Sequence, residues 1–242
     1  MKPLLQVQNI RFRWPQTDTW ILEVDLFKVA AGEHVFIHGP SGSGKSTLLK
    51  LIGGVLVPQQ GDIFFLNTNL TQLSSEARDT LRGNHMGFIF QMFNLLPYFS
   101  ALENVTLPCE FSTQKSARIF ESKRSITEEA TRLLTELKLD TKILAQKTIS
   151  QLSVGQQQRV AAARALMGRP ELIIADEPTS ALDREVTGNF LDLLFAECHK
   201  SGTALIFVSH DRSLGAKFDR VVSLPDIQRT PHIHSEDPHD PA

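Results

Sequence analysis

Residues 34–54, HVFIHGPSGSGKSTLLKLIGG, limit what this chain can fold into more than any other stretch. An apolar run, His34 to His38, leads into a glycine-rich loop, and a segment with apolar residues at helical spacing, Ser46 to Ile52, follows. Gly39, Gly44, Lys45 and Ser46 hold the fixed positions of G-x-x-x-x-G-K-[ST], the phosphate-binding loop between a strand and a helix. A loop wraps phosphate only if successive backbone N–H groups turn inward, which calls for residues that take φ > 0 and leave room. Gly39, Gly42 and Gly44 supply that freedom. The helix starting near Lys45 adds unpaired N–H groups and the positive end of its dipole. Lys45 is then expected on the β and γ phosphates of a nucleotide, and the Ser46 hydroxyl on Mg²⁺.

Further polar residues fall where strands end. In ELIIADEPTSALD, 171–183, Leu172 to Ala175 read as a fully buried strand, with Asp176 and Glu177 at its C-terminal end. Ligands of open α/β sheets lie outside the carboxyl ends of the strands, so both carboxylates are expected beside the phosphate loop. Asp176 suits Mg²⁺, and Glu177 suits orienting and deprotonating a water. GFIFQ, 87–91, is a short apolar strand that stops on Gln91, and the strand Thr203 to Val208 runs into Ser209-His210-Asp211. In SQLSVGQQQRVAAARALMGR, 150–169, a polar turn opens directly into an alanine-rich helix closed by Gly168 and Pro170. Ser153 and Gly155 stand at the mouth of this second anion-ready helix start.

Around these units, residues 4–14 and 21–29 alternate and read as antiparallel strands joined by a turn at Pro15 to Thr19. Trp14 ends the first of them, either as a core plug or as a ring able to stack on a purine. Pro58 to Gly61 turn the chain into strand 62–66, and Ser74 to Gly83 read as a helix closed by Gly83. Met92 to Thr148 is helix-rich: Ser100-x-x-Glu103 is a capping box, and Thr127 to Leu139 carry apolar residues at helical spacing. The polar, basic stretch 111–125 reads as a solvated loop or helix face. Such a helical island implies an inserted subdomain, whose apolar rim, Phe93 to Phe99, is suited to receive another protein. Residues 221–224 form a last short strand. The tail 228–242, rich in Pro, His and Asp, reads as disordered. Its His232, His234 and His239 are more simply solvated than metal ligands.

A length of 242 residues with 41% hydrophobic and 21% charged residues suits one large domain, or one with a subdomain. A net charge of −2 advertises no nucleic-acid partner. Cys109 and Cys198 are too few for a disulfide framework and are expected as reduced thiols. The N-terminal segment lacks the apolar core of a secretory signal. No apolar run reaches the roughly 18 residues of a membrane span, so any role at a membrane has to come through a partner.

With the phosphate loop, LSVGQ and the Asp-Glu strand end in place, the chain resembles the nucleotide-binding subunits of ATP-binding cassette (ABC) transporters over about residues 4–224. LSVGQQQRV resembles the signature that separates this family from other P-loop ATPases. The resemblance implies an α/β fold: a P-loop NTPase core with a parallel central sheet, an antiparallel β subdomain and an inserted α-helical subdomain. The ABC ATPase domain would span 1–227, with the helical signature subdomain over about 92–165. Gly39, Pro40, Ser41, Gly42, Ser43, Gly44, Lys45, Ser46 and Thr47 are then Walker A, and Trp14 stacks on adenine. Gln91 is the Q-loop glutamine, near Mg²⁺, and Asp176 the Walker-B aspartate. Glu177 becomes the catalytic base, Ser180 to Asp183 the D-loop, and His210 the switch histidine. Glu177, His210, Lys45 and Gln91 form the catalytic set, with ATP and Mg²⁺ as cofactors. Val154 stands where the commonest signature has glycine, while the serine and second glycine are kept.

The resemblance also implies assembly. Two subunits pack head to tail, and each ATP lies between Walker A of one protomer and Ser153, Gly155 and Gln156 of the other, with Asp183 nearby. A homodimer is expected, each chain supplying half of every site. GFIFQMFNLLPYFSALENVTLP most resembles exporters of the lipoprotein-releasing and macrolide-efflux type and their cell-division relative, although the SALD spelling is more usual in other branches. The expectation is an ATP-hydrolysing subunit, peripheral on the cytoplasmic face of the inner membrane, coupled to an integral-membrane permease. Import rather than export stays open. A soluble cassette ATPase acting on nucleic acid or ribosomes would carry coiled-coil insertions, zinc modules or tandem cassettes. A switch without turnover would lack Glu177 or His210.

Overall fold

The computed structural model describes residues 2–144 and 147–228; His232, His234 and His239 lie outside them, as does the tail beyond Gln228. In chain order the strands are β1 (Leu5–Phe12), β2 (Leu22–Val29), β3 (His34–His38), β4 (Gln60–Phe65), β5 (Thr68–Asn69), β6 (Met86–Ile89), β7 (Leu172–Asp176), β8 (Ala204–Val208) and β9 (Arg220–Ser223). The helices are α1 (Lys45–Ile52), α2 (Ser75–His85), α3 (Ala101–Glu110), α4 (Thr113–Glu121), α5 (Ile126–Glu136), α6 (Thr141–Leu144), α7 (Val154–Leu166), α8 (Arg184–Ser201) and α9 (Leu224–Ile227).

Continuous apolar strands can only sit where both faces are covered, and that condition builds the centre. The parallel sheet runs β6-β7-β8-β3-β9. Successive side chains point to opposite faces, so Phe36, Ile173, Ala175, Leu205 and Phe207 pack with the helical side, among residues of α3, α5, α7 and α8. Val35, Ile37, Leu172, Ile174, Ile206 and Val208 face the other way, onto α1 and an antiparallel sheet of order β2-β1-β4-β5. That sheet pairs Leu5 with Val29 and Phe12 with Leu22. Its β1–β4 register slips between Gln8 and Arg11, where Asn9 has φ 48°. Gly61 takes φ 83° against this bulge, and a Cβ there would lie 2.3 Å from the Asn9 carbonyl oxygen, so only glycine fits.

Four local expectations need correction. Helix α2 does not close at Gly83 but continues to His85, where the chain turns extended at Met86 to enter β6. Stretch 111–125 is not simply solvated: α4 buries Lys115 and Ile119, four residues apart on one face. The Lys115 ammonium donates to the Met86 carbonyl at 3.0 Å, and Arg118 pairs with Glu171 at 2.9 Å, so α4 braces the helical subdomain against the core. Phe93 belongs to the core, and within the rim 93–99 Tyr98 is the strongly exposed residue, at 95%, with exposed Met92 just before the rim. Gln228, read as the start of the tail, bridges to Val24 of β2.

Two consequences can be checked by chemical denaturation. Gly87 of β6 lies so close under α7 that a Cβ would sit 2.2 Å from the Ala165 carbonyl oxygen. Gly87→Ala is therefore expected to lower stability by about 1–3 kcal/mol, the usual cost of forcing atoms into a packed core. Burial lowers the Lys115 ammonium from 10.5 to about 8. Between those values the unfolded chain binds more protons than the folded one, so this group makes the fold more stable as pH rises from 8 towards 10.5. The rise should vanish in Lys115→Met; an identical pH profile in the variant would mean the ammonium is not held this way.

Candidate active site

The ends of β3, β7 and β8 open side by side, because Ile37 pairs with Val208 and Asp176 pairs with Val208 from the other edge. The chain leaves β3 through the glycine loop, where Gly42 and Gly44 take φ 74° and 95°, and enters α1. Gly44 has no side chain to cap the helix, which leaves the first N–H groups of α1 for a ligand. The result is a cleft of about 530 Å³ lined by Trp14, Ile21, Ser41 to Thr47, Gln91, Glu177, Ser180 and His210. The Lys45 ammonium lies across the loop, donating to the carbonyl oxygens of Gly39 (2.8 Å) and Pro40 (2.9 Å). Both partners are neutral carbonyl oxygens, which phosphate oxygens can displace. A Cβ at Gly39 would stand 2.8 Å from the Ser43 hydroxyl and fill this cradle.

Asp176 ends β7 with one carboxylate oxygen, Oδ1, buried and without a hydrogen-bond partner among the described residues. Burial raises its pKa, a hydrogen bond from Ser46 opposes this, the Glu177 charge adds to the rise, and Lys50 and Lys45 counter it. A buried, under-satisfied carboxylate oxygen beside a hydroxyl is a hard oxygen donor set, and it fits Mg²⁺. Glu177 follows in the left-handed region at φ 49°, a conformation that costs a non-glycine residue on the order of 1–3 kcal/mol. Its N–H donates to the Val208 carbonyl at 3.0 Å, which holds the turn in place. The side chain is thereby brought to His210, with Glu177 Oε2 2.6 Å from His210 Nδ1. The carboxylate is largely covered, while the imidazole is 69% exposed at the mouth of the cleft.

Trp14 is no core plug: it is 36% exposed, edge-on to Phe12 at 5.1 Å, and presents itself to the cleft. Ser153, Gly155, Gln156 and Asp183 do not line the cleft. Ser153 and Gln156 form a reciprocal cap at the start of α7, and Asp183 caps α8 by accepting from the Val186 N–H at 2.8 Å. Gly155 faces Leu182 and Val186, so these two helix starts form one separate surface.

Several contributors escaped the motif reading. Buried Gln158 donates to the Pro178 carbonyl at 2.9 Å and ties α7 to the turn after Glu177. A polar residue on the alanine face of that helix was the available signal. The Gln59 amide grips both the N–H (3.1 Å) and the carbonyl (2.9 Å) of Arg13, prolonging the β1–β4 ladder up to Trp14. Nothing local in the sequence pairs residues 13 and 59.

Comparison with known proteins places this geometry. The ABC transporter family model matches residues 22–180. The macrolide export ATP-binding/permease protein MacB of Pasteurella multocida (strain Pm70) is 39% identical over 228 residues, 93% of this chain. The chain spans only 33% of that relative's length. Among solved structures, the dimeric form of MJ0796, a bacterial ABC transporter cassette, superimposes with a TM-score of 0.76 and 33% identity, over 90% of this chain and 93% of that one. The same figures hold for a dimeric post-hydrolysis state of that cassette bound to ADP and Pi. For cbiO1 from Clostridium perfringens, part of the transporter complex cbiONQ, the TM-score is 0.78 at 26% identity, over 92% and 85% of the two chains. The family match begins with β2 and ends in the turn after Glu177, so it takes in the strand ends that hold the phosphate loop and both carboxylates; the chain belongs to the ABC transporter family.

Proposed function

We propose that this chain binds and hydrolyses ATP as the nucleotide-binding subunit of a membrane transporter, working as a dimer with a separate permease. The observation that carries the reading is the Glu177–His210 pair, 2.6 Å apart, at the mouth of a cleft that also holds the glycine loop and Lys45. Trp14 stacks on the adenine, and the loop N–H groups from Ser41 to Thr47 take the phosphates. With nucleotide bound, Lys45 would exchange the loop carbonyls for phosphate oxygens, and Gln91, which lines the same cleft, would help hold the metal. Ser46 and Asp176 would hold Mg²⁺, which when bound offsets charge on the phosphates. Glu177 accepts a proton from the attacking water, and His210 orients that carboxylate.

One chain leaves each site half built. Ser153, Gly155 and Gln156, with Asp183, are offered to the cleft of a second copy, a reading supported by the dimeric cassettes among the similar structures. The permease reading draws on MacB, whose name joins ATP-binding and permease functions, and on cbiO1 as part of a transporter complex. Among the described residues no helix is long and apolar enough to cross a membrane; a peripheral position on the cytoplasmic face is drawn from the likeness to transporter proteins. The docking surface is the exposed pair Met92 and Tyr98 together with a cavity of about 330 Å³ that includes Phe88, Phe90, Pro108 and Phe111. Arg164 of α7 donates at 2.6 Å to the carbonyls of both Phe93 and Asn94, so movement of that helix reaches the surface. The 39% identity to MacB favours an exporter of the macrolide-efflux or lipoprotein-releasing type.

Glu177→Gln is expected to cut turnover by about 10²–10⁴ and leave ATP binding intact. Undiminished turnover would remove Glu177 from its role. The same variant, loaded with ATP, should retain a permease from detergent-solubilised membranes; recovery of ribosomes or DNA-repair proteins alone would overturn the transport reading. Because the sites are completed in trans, ATPase activity per chain should rise with protein concentration before levelling off. Activity per chain that stays constant down to concentrations where light scattering reports only monomer would show that one chain suffices.

A further inference from the structure

The phosphate loop has a brace that none of its motifs includes. Strand β9 pairs in parallel with β3, Ser223 opposite His38, so the segment after β9 begins where β3 enters the loop. Helix α9 packs directly on it: a Cβ at Gly39 would lie 3.4 Å from Leu224 Cβ and from Pro225 Cδ. Gln228 then turns back, bridges to Val24 of β2 and donates its N–H to the Pro225 carbonyl at 3.3 Å. These contacts aim its side chain, and Nε2 donates to the Ser43 carbonyl oxygen at 2.9 Å.

The consequence follows from peptide geometry. The Ser43 carbonyl and the Gly44 N–H belong to one planar trans unit and point in opposite directions. Holding the carbonyl outward sends the Gly44 N–H inward, towards the cleft that both residues line. That peptide is the one most in need of holding. Gly44 sits at φ 95° and Gly42 at φ 74°, and glycine's wide freedom lets a peptide beside it rotate at little cost. A rotated unit would aim a carbonyl dipole at the phosphates in place of an N–H.

Resting on the phosphate-site reading of this loop, we propose that Gln228 is a positioning residue for nucleotide binding, which pins the Ser43–Gly44 peptide so that the Gly44 N–H faces the anion. It acts before chemistry, on the ground-state complex. Its loss is thus a loss of affinity for phosphates common to ATP and ADP, with the catalytic pair Glu177 and His210 untouched.

The test is equilibrium binding of MgATP and MgADP, with steady-state ATPase kinetics, for the full chain and for Gln228→Met and Gln228→Glu. Met keeps the length of the side chain without the donor, and Glu puts an acceptor against the carbonyl. Gln228→Met is expected to raise the Kd of both nucleotides and the KM by about three- to tenfold, the span of one hydrogen bond, while kcat stays within about twofold. Gln228→Glu should raise them further. Wild-type affinity in Gln228→Met, or a fall in kcat with KM unchanged, would overturn the proposal and leave the nucleotide site standing. Failure of the unmodified chain to bind either nucleotide would overturn the site reading and this proposal together.

Discussion

A row of backbone N–H groups, held open at the start of α1, is the constraint on which the rest of this structure depends. Such groups are normally consumed by caps or water. Here a glycine stands at the helix entry, and the loop before it is held in the shape of a cradle. Keeping it so requires an unyielding frame. Strand β3 lies in the interior of the parallel sheet, between β8 and β9, and α1 is buried on Leu48, Leu49, Leu51 and Ile52 against the antiparallel layer. Neither end of the loop can drift. The freedom left to the glycines between them is limited from outside, by α9 and Gln228.

The carboxylates and the histidine arrive by the same logic. Parallel strands in register bring their ends to one edge, so the adjacent Asp176 and Glu177 meet His210, 33 positions after Glu177, without long loops. The left-handed turn at Glu177 is the local cost of aiming its side chain across to His210. Helix α7 connects this centre with the surface. Its first turn is capped by Ser153, its middle is tied by Gln158 to the turn after Glu177, and its last turn holds Phe93 and Asn94 through Arg164. Arg164 is buried enough that its pKa falls, and its partners are carbonyl oxygens. One helix is thus tied both to the turn beside the cleft and to the Phe93–Asn94 segment.

Much of the fold was legible in the chain. The motif at 39–47 demanded a strand before and a helix after, and both are present as β3 and α1. Apolar runs at 172–175 and 203–208 required strands covered on both faces, and the two core clusters cover them. The misreadings share a cause. Stretch 111–125 looks solvated by composition, yet the stem of Lys115 is buried and its head reaches a carbonyl 29 residues upstream. Gly83 looks like a stop, but nothing crowds it and α2 runs through it. In each case a tertiary contact, or the lack of one, outweighed a local preference.

By itself the sequence determined the strand, glycine loop and helix of 34–52 and which strands must be interior, because glycine spacing, helix starts and apolar runs act over a few residues. Tertiary structure alone decided the 2.6 Å meeting of Glu177 with His210, the grip of Gln59 on the segment before Trp14, and the hold of Gln228 on the Ser43 carbonyl. It also decided that Ser153 and Gly155 stand apart from the cleft of their own chain. These are side chains that hydrogen-bond across 33 to 185 positions, and no periodicity or propensity encodes such a distance. Only the register of the packed strands does.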